Sequence, residues 1–234
     1  MNHYLSQAGV AARRKCDQLI KAGLVSVNSV IVRTPGMIID PESDYVTYKE
    51  KRIIHIGSFV YILLNKPAGV VCTAQDERHR PTVLDIIKSG SRIFPVGRLD
   101  INTTGLILLT NDGELSNRLT HPRFGIEKVY RVVLHKPLHP LDEKRLEQGI
   151  KIEKDEVVSA RIAVISKTGT VVKVTVSEGK KNMIKRMFNT MGYVVTLLDR
   201  IQIGFLTKRK LPLGGWRYLT HKEIHQLYVA AETP

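Results

Sequence analysis

The sequence predicts an α+β fold, with a small αα-then-β module at the N terminus and a larger domain built on a mixed, largely antiparallel sheet with flanking helices. Three features carry this. Apolar runs of strand length cluster along the second part of the chain. Helical patterns punctuate them without the regular strand–helix alternation of a parallel sheet. The first fifty residues read as a unit of their own, with two short helical patterns ahead of the first strand-like pieces.

In chain order, Tyr4-Leu5 and residues 8–12 open a helical pattern that continues over 13–21, and Gly23 supplies a stop. Residues 24–28 and 30–32 have strand character around an Asn28-Ser29 turn, and a further strand is expected over 45–48. Arg13 and Arg14 place two adjacent cations near a helix start, where they oppose the helix dipole. An external anion explains them better than the helix does, and RNA phosphate is the natural candidate. A solvated charged face is the plainer alternative in any basic protein.

Glu50-Lys51-Arg52 forms a polar boundary, so the expected domains are 1–50 and 59–234 joined by a linker over 51–58. The second domain opens with a buried strand over 59–64 that ends at Asn65-Lys66-Pro67. Further strands are expected over 70–73, 105–110, 129–134, 157–164, 171–176 and 194–203, and helices over 82–88, 114–121, 141–148, 183–191 and 221–229. Asn111 and Glu114 have the spacing of a capping box, which assigns the intervening Asp112 to structure.

Charge bounds the partner. Thirty-six Lys and Arg against 22 Asp and Glu give a formal charge of +14 over 234 residues, as expected for binding a polyanion. An acidic membrane is the competitor, but no run of eighteen apolar residues, signal peptide or lipidation motif is present, so a cytoplasmic protein with no membrane partner is expected. Cys16 and Cys72 lie far apart without a CxxC, which suggests neither a disulfide framework nor a zinc site. His221 and His225 share a helical spacing, as do His135 and His139, yet neither pair has a completing ligand and Pro137 disfavours a helix in the second. No metal or cofactor is expected: there is no GxGxxG and no Walker loop.

The densest polar segment runs from Gly97 through Arg98, Leu99, Asp100, Ile101, Asn102, Thr103 and Thr104 to Gly105, and leads into the apolar run 106–109 and then Thr110-Asn111-Asp112-Gly113. On spacing alone an Asp followed by Asn and Thr is a turn or cap. Equally, it sets a carboxylate beside a cation, Arg98, at the mouth of a rigid strand, a platform suited to catalysis.

The whole string GRLDINTTGLILLTNDG resembles the signature of the RsuA-like pseudouridine synthases, the family that includes the large-subunit rRNA type. Residues 64–69, Leu-Asn-Lys-Pro-Ala-Gly, are similar to that family's NKPxG segment, and Glu127-Lys128-Val129-Tyr130 to its EKxYxV segment. Residues 178–187 resemble its basic helix entry, and the N-terminal unit resembles the RNA-binding module named after ribosomal small-subunit protein four, whose hairpin carries Gly where this chain has Ser29. The resemblance covers essentially the entire chain.

It implies an isomerase that detaches uracil from its ribose, rotates it and rejoins it through a ring carbon, with no nucleotide cofactor and no net transfer. Asp100 is the implied catalytic carboxylate, either as a nucleophile at the ribose or as a base opening a glycal route. Tyr130 is the implied active-site tyrosine, with Lys128 on the same strand face. The family sets a basic residue against the Asp. Aligning Met183-Ile184-Lys185-Arg186-Met187 with the usual Gln-Val/Ile-Arg-Arg-Met puts Lys185 there, with Arg186 as the alternative partner. Lys for Arg keeps the charge but loses the bidentate fork. Arg98, Lys66, Lys128, Arg186, Arg13 and Arg14 are the expected substrate contacts, the substrate a uridine of ribosomal RNA, and the enzyme a monomer. A non-catalytic ribosome-assembly factor on the same basic surface, and a glycosidase that releases free uracil, are the alternatives.

Overall fold

A computed structural model of the protein describes residues 1–54, 58–153 and 156–231, Glu153 by its backbone alone. The chain divides into two compact units: Met1–Phe59 with Gly90–Arg92 and Asn111–Gly113, and the remainder.

The smaller unit comprises α1 (Asn2–Gln7), α2 (Arg13–Lys21), β1 (Val25–Val27), β2 (Val30–Val32), β3 (Val46–Tyr48) and β4 (Lys51–Arg52), its strands ordered β2-β1-β3-β4 and all antiparallel. Its core follows from two periodicities. Cys16 and Ile20, one turn apart on α2, meet Val25 and Val27, which alternate inward on β1, together with Leu5 and Val46. Ser26 faces the other way and its hydroxyl meets that of Thr47 at 2.6 Å. Asn28 and Ser29 both have positive φ, 49° and 69°, the geometry that closes a two-residue hairpin. Lys51–Arg52, expected to begin a linker, pair with β3, and 55–57 lie outside the described residues.

The larger unit contains β5 (Tyr61–Lys66), α3 (Val83–Ile86), β6 (Phe94–Val96), β7 (Thr104–Thr110), α4 (Gly113–Thr120), β8 (Lys128–Leu134), α5 (Pro140–Gln148), β9 (Ile150–Glu153), β10 (Glu156–Val158), β11 (Arg161–Val164), β12 (Val171–Val176), α6 (Met183–Thr190), β13 (Val195–Ile203), β14 (Leu206–Thr207), β15 (Trp216–Tyr218) and α7 (His221–Ala230). Among the described residues the main sheet runs β11-β12-β8-β13-β7-β5-β15, with β6 on β7 and β14 on β13. Its β13–β7 pair is parallel and its other pairings are antiparallel, so the sheet is mixed as expected.

Both faces are covered. Ile62, Leu64, Ile107 and Leu109 turn toward Met183, Met187 and Phe188 of α6 and Leu146 of α5, whereas Tyr61, Leu63, Leu106 and Leu108 turn toward Leu115 and Leu119 of α4 and Leu227 of α7. This explains why β5 and β7 read as continuous apolar runs rather than alternating ones.

Three expectations are corrected. Residues 70–73 form no ladder strand: Val70 and Cys72 are buried, but Val71 makes only an isolated bridge to Thr82. The alternation there records packing of a loop. The single strand expected over 157–164 is two, β10 on β9 and β11 on β12, broken where the Ala160 N–H donates to the Leu146 carbonyl of α5. The helix expected over 82–88 is shortened to α3, capped by reciprocal Thr82 and Asp85 bonds and ended by extended backbone at Ile87.

Candidate active site

Asp100 sits on the loop between β6 and β7, and the surrounding residues hold that loop from several sides. The Thr103 N–H donates to the Asp100 carbonyl at 3.0 Å, closing a turn, and the Gly69 N–H donates to the Ile101 carbonyl at 2.8 Å. The Leu99 N–H donates to the Cys72 sulfur at 3.3 Å, and the buried thiol has its pKa raised by that burial. Beneath them Lys66 is 0% exposed, and its ammonium donates to the carbonyls of Pro67, Val70 and Ile101 at 2.9, 2.8 and 3.2 Å. Burial lowers its pKa. Lys66, expected among the substrate contacts, has its three protons committed to backbone and does not line the cleft. It braces the Asp100 loop instead.

Gly105, at the start of β7, is dictated by its neighbour across the parallel seam. A Cβ there would stand 2.3 Å from the Arg200 carbonyl oxygen and 2.5 Å from its nitrogen, and φ is +113°. Only glycine permits this approach. The register then lines up Gly105, Arg200 and Tyr130 across β7, β13 and β8. One row of the sheet thus carries Tyr130 and Arg200 to the face covered by α6.

These residues open onto a cleft of about 330 Å³, within the range of small-ligand sites, lined among others by Asp100, Lys128, Tyr130, Met183, Leu198 and Arg200. Lys185 on α6 approaches Asp100 Oδ2 at 3.4 Å, both side chains being more than a third exposed, at 36% and 38%. Arg186, the alternative partner, turns to Glu156 at 3.0 Å. Glu156 also holds Lys180 at 3.2 Å, and Glu178 holds it at 2.9 Å. Lys128 donates to the Ser177 carbonyl at 3.0 Å, and burial, reinforced by the Arg200 charge, lowers its pKa to about 8. Tyr130 is buried at the cleft wall, and exposed Arg98 stands at the rim.

The structure therefore brings Asp100, Tyr130, Lys185, Lys128 and Arg98 together, and directs Lys66 and Arg186 elsewhere. In the smaller unit Arg13 and Arg14 are exposed in the first turn of α2, which has no acidic residue. Sequence reasoning missed Arg200, which is 5% exposed. Its signal was a lone cation within the apolar pattern of 194–203. Among the described residues no group of three or more His, Cys, Asp or Glu side chains is placed to hold a metal ion.

With this geometry in place, comparison with known proteins is decisive. Residues 60–190 match the family model of RNA pseudouridylate synthase, and residues 3–44 that of the S4 domain. The chain belongs to the RNA pseudouridine synthase family, in its RsuA-like branch. It is an isomerase with an N-terminal S4 domain. An uncharacterized RNA pseudouridine synthase of Aquifex aeolicus is 40% identical over 98% of this chain and 94% of its own. The ribosomal large subunit pseudouridine synthase B of Bacillus subtilis is 38% identical over 97% and 95%. A crystal structure of a pseudouridylate synthase superposes with a TM-score of 0.71 at 31% identity, covering 97% of this chain and 98% of that one.

Proposed function

We propose that this pseudouridine synthase modifies a uridine of large-subunit ribosomal RNA in the cytoplasm, with Asp100 as the reacting carboxylate. The observation that carries the target is the near full-length similarity to the Bacillus subtilis large-subunit enzyme, and the charge of +14 suits an RNA of any sequence. The target base must leave its stack to enter the cleft. There Tyr130 offers a ring face for stacking and a hydroxyl near the ring proton that must be lost. Lys185 holds Asp100 by charge and leaves one carboxylate oxygen for the ribose. Arg98, at the rim, contacts phosphate beside the target base, and Arg13 and Arg14 give the S4 domain phosphate contacts of its own.

Mapping pseudouridine in ribosomal RNA from cells with and without the protein tests this. Loss of one large-subunit pseudouridine in its absence is expected. A site lost from small-subunit or transfer RNA would overturn the target, and free uracil among the products would overturn isomerisation in favour of a glycosidase.

A further inference from the structure

Among the described residues Arg200 has no carboxylate partner. Its Nε donates to the Leu106 carbonyl at 2.6 Å and its Nη1 to the Tyr130 hydroxyl at 3.4 Å, while Nη2 is buried with no hydrogen-bond partner. A buried cation without a counter-charge costs free energy and persists where function requires it. The neighbouring carboxylate on β13, Asp199, faces the other way and bonds Thr104 and Lys208. Lys128 adds a second cation to the same wall, near enough for the Arg200 charge to act on it, and its ammonium is held by a carbonyl rather than an acid. Thr103, 1% exposed, also lines this cleft with its Oγ1 unpartnered. The cleft that Asp100 lines thus carries a positive wall of Arg200 and Lys128, built before any ligand arrives, while Asp100 itself is already paired with Lys185.

The reaction supplies the missing negative charge. When the bond between ribose C1′ and uracil N1 breaks, the electron pair leaves with the base, which becomes an anion delocalised over N1, O2 and O4. After rotation C5 returns an electron pair to C1′, the C5 proton is released, and N1 takes up a proton. The product is an isomer of the reactant. This sequence holds whether Asp100 attacks the ribose or opens the glycal route.

We infer that Arg200, assisted by Lys128, is the electrostatic stabiliser of the detached uracil anion, lowering the barrier to glycosidic cleavage and holding the base while it turns. The inference rests on the cleft being the site of isomerisation. Because the guanidinium is preorganised and shielded from water, its charge acts at full strength when the anion forms and costs no reorganisation.

The test varies the acidity of the leaving base. Fluorine at C5 withdraws electrons and stabilises the uracil anion by itself, so 5-fluorouridine lessens the need for a protein cation. Single-turnover cleavage is measured on a large-subunit rRNA transcript from unmodified uridine and on the same transcript made with 5-fluorouridine, for wild type, Arg200→Met, Arg200→Lys and Lys128→Met. Arg200→Met should lose about 10²-fold or more on uridine RNA, the scale of removing one preorganised donor. It should lose markedly less on 5-fluorouridine RNA. Arg200→Lys, which retains a cation and tests against misfolding, should recover much of the rate, and Lys128→Met, at the half-exposed wall, should show a smaller loss with the same substrate dependence. Equal losses on both RNAs would make Arg200 a structural or Tyr130-orienting residue and overturn the inference while leaving the proposed function intact. A wild type that forms no pseudouridine in the transcript, or in total RNA from cells lacking the protein, would overturn both.

Discussion

Asp100 is held in position by its neighbours and pairs with Lys185, neither of which is an RNA phosphate contact, so its role is separable from RNA affinity. Asp100→Asn should lower single-turnover isomerisation by at least about 10²- to 10⁴-fold, with RNA affinity close to wild type because phosphate contacts dominate binding. Wild-type turnover by that variant would remove Asp100 from the mechanism. Lys185→Ala should cost more activity than Arg186→Ala, since only the former faces Asp100 while the latter is committed to Glu156. The reverse order would show that the Asp100–Lys185 contact is incidental. Lys128 gives a pH signature. With its pKa lowered from 10.5 to about 8, it loses charge near pH 8, and kcat/KM should fall through that range; Lys128→Arg should abolish the fall. The stability sign is opposite. The folded value lies below the unfolded one, so the unfolded chain binds the extra proton between pH 8 and 10.5, and this group's contribution to stability rises with pH across that window.

Among elements, the seam between β7 and β13 is the least tolerant of change. Gly105→Ala, which drives a Cβ into the Arg200 backbone at positive φ, should cost about 3 kcal/mol or more in urea unfolding. The opposite sign is expected at the β1–β2 hairpin. Ser29 holds φ of 69°, so Ser29→Gly should stabilise the S4 domain by about 1 kcal/mol, read from its local unfolding by hydrogen exchange. The long strands were legible in two ways: β5 and β7 because burial on both faces makes them continuous apolar runs, and β8, β12 and β13 because six or more residues rich in Val, Ile and Leu carry a strand signal despite their charged positions. The short strands β6, β9, β14 and β15 were not, since two to four residues carry no usable period and their strand character comes from the partner they meet. The same limit hid Arg200. A residue's number gives no hint that β13 will place it beside Tyr130, whereas Asp100 and Tyr130 were found through motifs long enough to resemble a family.

Over the whole molecule, the positive charge is shared between an S4 domain that carries Arg13 and Arg14 on an exposed helix start and a catalytic unit that carries the cleft. If the two arginines bind phosphate, Arg13→Glu with Arg14→Glu should weaken RNA binding and flatten the slope of log affinity against log salt by about 1.4 to 1.8, for two lost contacts. Full affinity at every salt concentration would make them an ordinary solvated face. The order of the sheet carries a consequence for biosynthesis. β13 lies between β8 and β7 at the centre, yet its residues leave the ribosome after both. A nascent chain released only through β12 holds Asp100 and Tyr130 on two half-sheets with open facing edges, joined by neither Lys185 nor Arg200. The unfinished polypeptide is therefore chemically silent toward the RNA its basic surface already attracts, and its open edges make it a client for chaperones until the central strand is inserted.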